Sequence, residues 1–303
     1  MLKKDGKTNK NSMNFTIFNI LKNRLNKPNE SYEVSESGIE HSNRQFRFEN
    51  LQDNIYEPMG EKAEAEYKKG SGNELNGSMK TIYSSSAMTY NIFRNENAIF
   101  EGVEYGVSYE KQFYTLNEKI AGKPANLDAF LESEDGGNII ACEMKMTEWF
   151  ASKKIEIKPA YLEKESYQKK GTAEIFLKVI ENLSGRFGEN MRYDAMQMFK
   201  HSLALYNACA SGKISPKKLT LINCVWEVPF SAELPKSVEE KCCGKLMQEH
   251  EGFGWFYKAI EPIKMAFFDL GIEFEVKYYG VHEFVDKMTL NDKVRAYLSR
   301  YTK

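Results

Sequence analysis

The stretch Asn126-Leu-Asp-Ala-Phe-Leu-Glu-Ser-Glu-Asp-Gly-Gly-Asn-Ile-Ile-Ala-Cys-Glu-Met-Lys145 decides how this chain reads. Asp135-Gly136 is a strong two-residue hairpin signal, because a type I′ turn needs positive φ at both central positions. Centring the turn there pairs residues whose numbers sum to 271 and sets Asp128 opposite Glu143, with Cβ atoms about 4.5–5.5 Å apart. Turning at Gly136-Gly137 gives a sum of 273 and sets Asp128 opposite Lys145. Side-chain parity is the same in both registers, so Asp128, Glu143 and Lys145 share one face. The other face, Leu127, Ala129, Leu131, Ile140, Cys142, Met144 and Met146, is wholly apolar and is expected to meet a core.

Two carboxylates and an ammonium thus gather at one end of an otherwise apolar hairpin. Burying such charges is costly unless they are paired or hold a metal. Two carboxylates a few ångströms apart raise one pKa unless a divalent cation lies between them. Hard oxygen ligands without His or Cys favour Mg²⁺, with Mn²⁺ acceptable. A lysine beside such an ion can orient a water and help deprotonate it, which is equipment for phosphodiester hydrolysis. The competing reading is a cross-strand salt bridge on a solvated face. Glu-x-Lys by itself says little, since it recurs at Glu66, Glu156, Glu239 and Glu275.

Working outward, Val107–Tyr114 alternates as a strand, and Ala125–Glu132 and Asn138–Met146 form the hairpin. Leu219–Trp226 is a nearly continuous apolar run, the pattern of a strand buried on both faces. Helical spacing marks Ser84–Phe93, residues 161–183 and Tyr193–Ala210, the last with Met196, Phe199, Leu203 and Tyr206 in one stripe. A helix near 254–268, a strand at 272–279 and further helices complete an α/β (α+β mixed-sheet) pattern. Residues 1–78 are rich in Asn, Ser, Lys, Glu and Gly. They read as a flexible or appended segment with a short helix at Ser12–Leu25 and a linker at Gly70–Ser78. The main domain is then 79–303, with a C-terminal α/β elaboration.

The chain has 303 residues, 42 Lys plus Arg against 43 Asp plus Glu, and 42% hydrophobic content. That balance excludes a wholly disordered chain and one that wraps nucleic acid by bulk charge. No run approaches the roughly 18–20 apolar residues of a membrane helix, so no membrane partner is expected. The five cysteines include no CxxC pair, and the four histidines are scattered. A reduced, cytoplasmic protein is expected.

Asp128 followed across a hairpin by Glu143-Met-Lys145 resembles the signature of the PD-(D/E)xK nuclease superfamily. Pro124-Ala-Asn-Leu-Asp128, Glu143-Met-Lys-Met-Thr-Glu148, Ser84-Ser-Ser-Ala-Met88 and Tyr109-Glu-Lys-Gln-Phe113 resemble an uncharacterised bacterial, restriction-endonuclease-like group within it, over residues 80–226. Pro124 precedes Asp128 by four residues instead of one. The resemblance implies a restriction-endonuclease-like core, a central mixed β-sheet flanked by helices. It implies that Asp128 and Glu143 ligate the metal, with the Met144 carbonyl as an extra ligand, and that Lys145 positions the attacking water. Glu110 is the candidate upstream acid, or else an exposed strand residue. Gln197 and His201, four apart on one helix, and Glu148 are candidates for contacts behind the site or with DNA.

The implied function is a Mg²⁺-dependent DNA endonuclease of restriction type. Cutting both strands would call for a homodimer or two binding events, and a restriction role for a separately encoded methyltransferase. A repair-type exonuclease of the same fold is the nearest alternative, and a non-cleaving DNA- or protein-binding module the one from another class. Lys153, Lys154 and Lys158 are either phosphate contacts or a solvated face.

Overall fold

The computed structural model describes residues 13–24, 46–70, 73–94, 96–117, 124–168 and 170–303. Helices α1 (Met13–Arg24), α2 (Glu61–Lys69) and α3 (Ser85–Phe93) precede strands β1 (Asn97–Phe100) and β2 (Val103–Phe113). The hairpin follows as β3 (Ala125–Ser133) and β4 (Asn138–Lys145), then the short β5 (Lys153–Lys154). Next come α4 (Lys170–Ser184), β6 (Asn190–Met191), α5 (Ala195–Ala210) and β7 (Lys218–Val225). The chain ends with α6 (Lys236–Ala259), α7 (Glu261–Asp269), β8 (Glu273–Gly280), α8 (Val281–Asp286) and α9 (Asp292–Thr302).

Six strands form one mixed sheet in the order β1-β2-β3-β4-β7-β8. The first four pair antiparallel, whereas β7 and β8 join in parallel. Helices cover both faces, making this an α/β fold whose central strands β4 and β7 are buried almost end to end. No described helix is long and apolar enough to cross a membrane.

The hairpin pairs Ala129 with Cys142 and Glu132 with Ile139, the register that sums to 271. The turn itself is not type I′. Among its residues only Gly136 has positive φ, and Gly136 N–H closes on the Ser133 carbonyl at 2.8 Å. The Asp135 carboxylate accepts from the Ser133 hydroxyl and the Gly137 amide, a side-chain turn that holds Asp135 out of the left-handed region. Ala129, Leu131, Ile140, Cys142, Met144 and Met146 share one core layer as expected. Leu127 joins the opposite layer, at the level where the left-handed Glu110 interrupts β2.

The described stretches of residues 1–78 are not an appended arm. Met13, Ile17, Phe18 and Leu21 of α1, with Phe46, Phe48, Ile55 and Tyr67, are buried in the same core as Met79, Trp149 and Trp226. Aromatic anchors at irregular spacing do this, with Phe18 stacked on Tyr83 at 4.5 Å between ring centres. Ser12, Leu25 and part of the expected linker lie outside the described residues. The expected helix at 161–183 begins only at Lys170, after two 3₁₀ turns. The expected helix at 254–268 is two helices, with Pro262 starting the second.

Candidate functional site

The site lies where β4 ends, on the sheet face covered by α5. Glu143 is 3% exposed. Its Oε1 accepts from Lys145 Nζ and, at 2.8 Å, from Gln197 Nε2. Its Oε2 meets His201 Nε2 at 2.8 Å. Lys145 Nζ also donates to Gln197 Oε1 at 2.8 Å, closing a ring of three side chains. Residues four apart on a helix lie one above the other, which is how α5 brings Gln197 and His201 over one carboxylate. An ionised Glu143 only accepts, so His201 carries its proton on Nε2, and its buried Nδ1 has no partner among the described residues.

Asp128 stands beside them. The β3–β4 pairing stops at Ala129 and Cys142, one step short of it. There the Asp128 carboxylate takes over, accepting from Met144 N–H at 2.7 Å. The Lys145 carbonyl accepts from Trp226 N–H on the β7 side, so strand alternation turns the Met144 carbonyl toward β3 and Asp128.

Burial would raise the Glu143 carboxyl, but the Lys145 ammonium and the His201 hydrogen bond hold it down at about 2. Asp128 moves the other way. Burial and the Glu143 charge push it well above the carboxylate range, against the opposing pull of Lys145. Burial alone would strip the Lys145 proton; Glu143, Glu148 and Asp128 outweigh it and keep the ammonium. Lys145 is therefore held as an ammonium beside Glu143.

Glu110 is a buried acid, not an exposed strand residue, at 9% exposure. It is left out of the ladder between Tyr109–Ala129 and Lys111–Leu127, with φ of 51°. A non-glycine residue held there costs about 1–3 kcal/mol. Its carboxylate accepts from the Asn126 amide, and a Cβ on Gly70 would lie 2.6 Å from its Oε2. Burial lifts its pKa to about 7, with Glu74 and Glu143 adding and Asn126 opposing.

Registers extend this group into a row across the sheet. Glu143 faces Asn223 on β7, and Asn223 faces Tyr278 on β8. Beyond Asn223 lies Glu249 of α6, 2% exposed and lifted by burial to about 7. Sequence reasoning missed Glu249, because nothing in its neighbourhood fixes which side of α6 meets the site. The nearest signal is Gly252, where a Cβ would lie 2.5 Å from the Tyr193 Cβ and forbid this close approach.

Glu148 does two jobs. Its carboxylate accepts from the Met146 and Thr147 amides at the end of β4, and its charge supports Lys145. Lys153 is paired to Asp194, the N-cap of α5, at 2.8 Å, and Lys154 to Glu156. Lys200 of α5 has its pKa lowered by burial and by Lys158 and Lys153, which places three ammoniums near one another beside Asp194.

Among the described residues no group of three His, Cys, Asp or Glu side chains is arranged to hold a metal ion. Comparison with protein-family models, with curated proteins and with solved structures found no match for this chain.

Proposed function

We propose that this chain is a Mg²⁺-dependent deoxyribonuclease with a restriction-endonuclease-like core, hydrolysing phosphodiesters within DNA. One observation carries the reading. Asp128, Glu143 and Lys145, read from the hairpin pattern, meet at the end of a central strand with more buried carboxylates than cations around them.

The residues fit a hard cation on chemical grounds. Burial and then the Glu143 charge raise Asp128, and Lys145 and the Met144 amide offset them only in part. Mg²⁺ commonly takes one or two carboxylates and fills its remaining positions with water and phosphate. Asp128, Glu143 and the Met144 carbonyl would hold it, and Mn²⁺ suits the same oxygens. Glu143 already accepts three donors of roughly four it can take, so ion binding competes with Lys145 and Gln197. When bound, the ion neutralises charge on the phosphate and acidifies a water. Lys145, as an ammonium, orients that water by donating to it. Gln197 and His201 hold the Glu143 carboxylate in place. Lys200, Lys158 and Lys153 supply positive charge for flanking phosphates. A restriction role calls for a homodimer or two binding events to cut both strands, and for a separately encoded methyltransferase.

Gln197 favours a second reading. It binds both Lys145 and Glu143, and superfamily members of exonuclease type often place a glutamine here, so a repair-type exonuclease is the alternative within the same chemistry.

Purified protein incubated with circular and linear plasmid DNA in Mg²⁺, Mn²⁺ or EDTA, beside Lys145→Ala, decides among these. Metal-dependent nicking or linearisation of circles, absent in the variant, is the expected result. Digestion confined to linear ends favours the exonuclease. No cleavage of modified or unmodified DNA overturns both in favour of a non-cleaving module, and activity undiminished in the variant overturns the site.

A further inference from the structure

Strand β8 closes one side of the sheet, and among the described residues no strand or bridge pairs with its outer edge. Its inner edge is fixed in parallel against β7, where Glu273 N–H donates to the Lys217 carbonyl at 2.9 Å. Backbone groups of successive residues point to opposite edges of a strand. Glu273, Glu275 and Lys277 therefore bond toward β7, while Phe274, Val276 and Tyr278 turn their N–H and C=O groups outward. Such an outward row is a template for another strand.

The side chains of Glu273, Glu275 and Lys277 stand on one face of β8 and are partly or fully exposed. Charge commonly protects an edge from pairing. The order of signs here admits one partner, a second β8 running antiparallel. With a two-fold axis centred on Glu275 or Lys277, that residue opposes its own copy. Centring on Phe274 sets Glu273 against Glu275. Centring on Val276 sets each Glu275 opposite Lys277 of the second copy, with no like charges opposed. Opposite charges across such a pair attract, and like charges repel. Within one chain Glu275 already lies 3.0 Å from Lys277, so the four side chains would alternate in sign around the axis.

Helix α7 lies above this strand, with Phe267 stacked on Phe274 at 4.1 Å between ring centres. Next to Phe267, Phe268 is the most exposed large apolar side chain among the described residues, at 72%. Met265 is 55% exposed, and residues three apart share one side of a helix.

We propose that two copies of this chain join through β8, antiparallel about Val276, so that their sheets become one. The axis stands normal to the sheet and sets both α7 helices on the same face, with Met265 and Phe268 packed beside the seam. A stable dimer buries roughly 1,200–2,000 Å², more than one strand edge supplies, and α7 adds apolar area to it. Asp128, Glu143 and Lys145 take no part, so the dimer stands whether or not the nuclease reading does.

Full-length protein is followed by sedimentation velocity over a concentration series, as wild type, Glu275→Lys, Lys277→Glu, an equimolar mixture of the two variants, and the double exchange. Wild type is expected as a dimer. Each single substitution opposes like charges at both pairs and should raise the dissociation constant at least about tenfold. The mixture restores opposite charges at both pairs and should form dimers with one chain of each kind. The double exchange should dimerise as wild type does. Recovery in the mixture guards against variants that merely unfold. A wild type that stays monomeric, single variants that dimerise as tightly as wild type, or a mixture no tighter than its components overturns the proposal.

Discussion

The Met144 amide donates to the Asp128 side chain at 2.7 Å, at the point where a backbone carbonyl would continue the β3–β4 ladder. The pairing of the two strands thus ends in the candidate site, and Asp128 is held by the strand it faces. Asn at this position keeps an acceptor for that amide and removes the charge that Glu143 repels. Asp128→Asn is therefore expected to abolish metal-dependent cleavage while leaving the metal-free fold at least as stable as wild type, because burial and Glu143 already disfavour the charged form of Asp128. A melt in EDTA reads the second effect. A variant less stable than wild type would show that Asp128 is not under electrostatic strain.

His201→Ala removes the one donor that the described residues place on Glu143 Oε2 and leaves a buried carboxylate short of a partner. Breaking a buried pair by removing one member costs about 3–5 kcal/mol. Urea unfolding should show that loss as a lower midpoint at unchanged slope. A loss under about 1 kcal/mol would mean that Lys145 and Gln197 hold Glu143 without help.

The pH dependence of stability follows from Glu110. Its carboxyl titrates at about 7 in the folded chain, against about 4.3 when unfolded. The folded state holds the proton more tightly, so this contribution is complete below about pH 4 and is lost as pH rises toward 7. The loss is on the order of 3 kcal/mol. Glu110→Gln keeps the acceptor for Asn126, so its stability in EDTA should fall less than wild type between pH 4 and 7. Parallel curves for the two proteins would place the titrating group elsewhere.

Replacing glycine by alanine inside a helix usually stabilises by up to about 1 kcal/mol. Gly252→Ala in α6 should do the reverse, because the new Cβ would meet the Tyr193 Cβ at 2.5 Å. A loss of about 1–3 kcal/mol is expected from such overpacking, read by thermal or urea unfolding. A gain would show that α6 can move away from Tyr193 at no cost.

Much of the centre was legible because a hairpin pairs by arithmetic. The shared face of Asp128, Glu143 and Lys145 follows from the period of two in either register that the sequence allowed, and the folded hairpin takes the 271 one even though its turn is not type I′. Gln197 and His201 were legible as neighbours on a helix, but not as partners of Glu143, since spacing gives a helix no rotation about its axis. Glu249 was hidden for the same reason. The helix carrying Phe18 was legible from its spacing, but the anchors Phe46, Phe48, Ile55 and Tyr67 were hidden because they follow no shared period. Their burial is decided by contacts with the sheet and α3, which local pattern does not carry.

The parallel pairing of β4 with β7 sets when the site can exist. Glu143 gains Asn223 as its neighbour only after eighty more residues have been joined, and Tyr278 comes later still. At about 5–20 residues per second, the first wait lasts roughly 4–16 s in a growing chain. For that time β4, apolar from Ile139 to Cys142, would have one unpaired edge, open to other chains. A newborn chain therefore spends its most aggregation-prone seconds without a finished centre, and shielding of that edge during synthesis should govern how much folded protein a cell obtains.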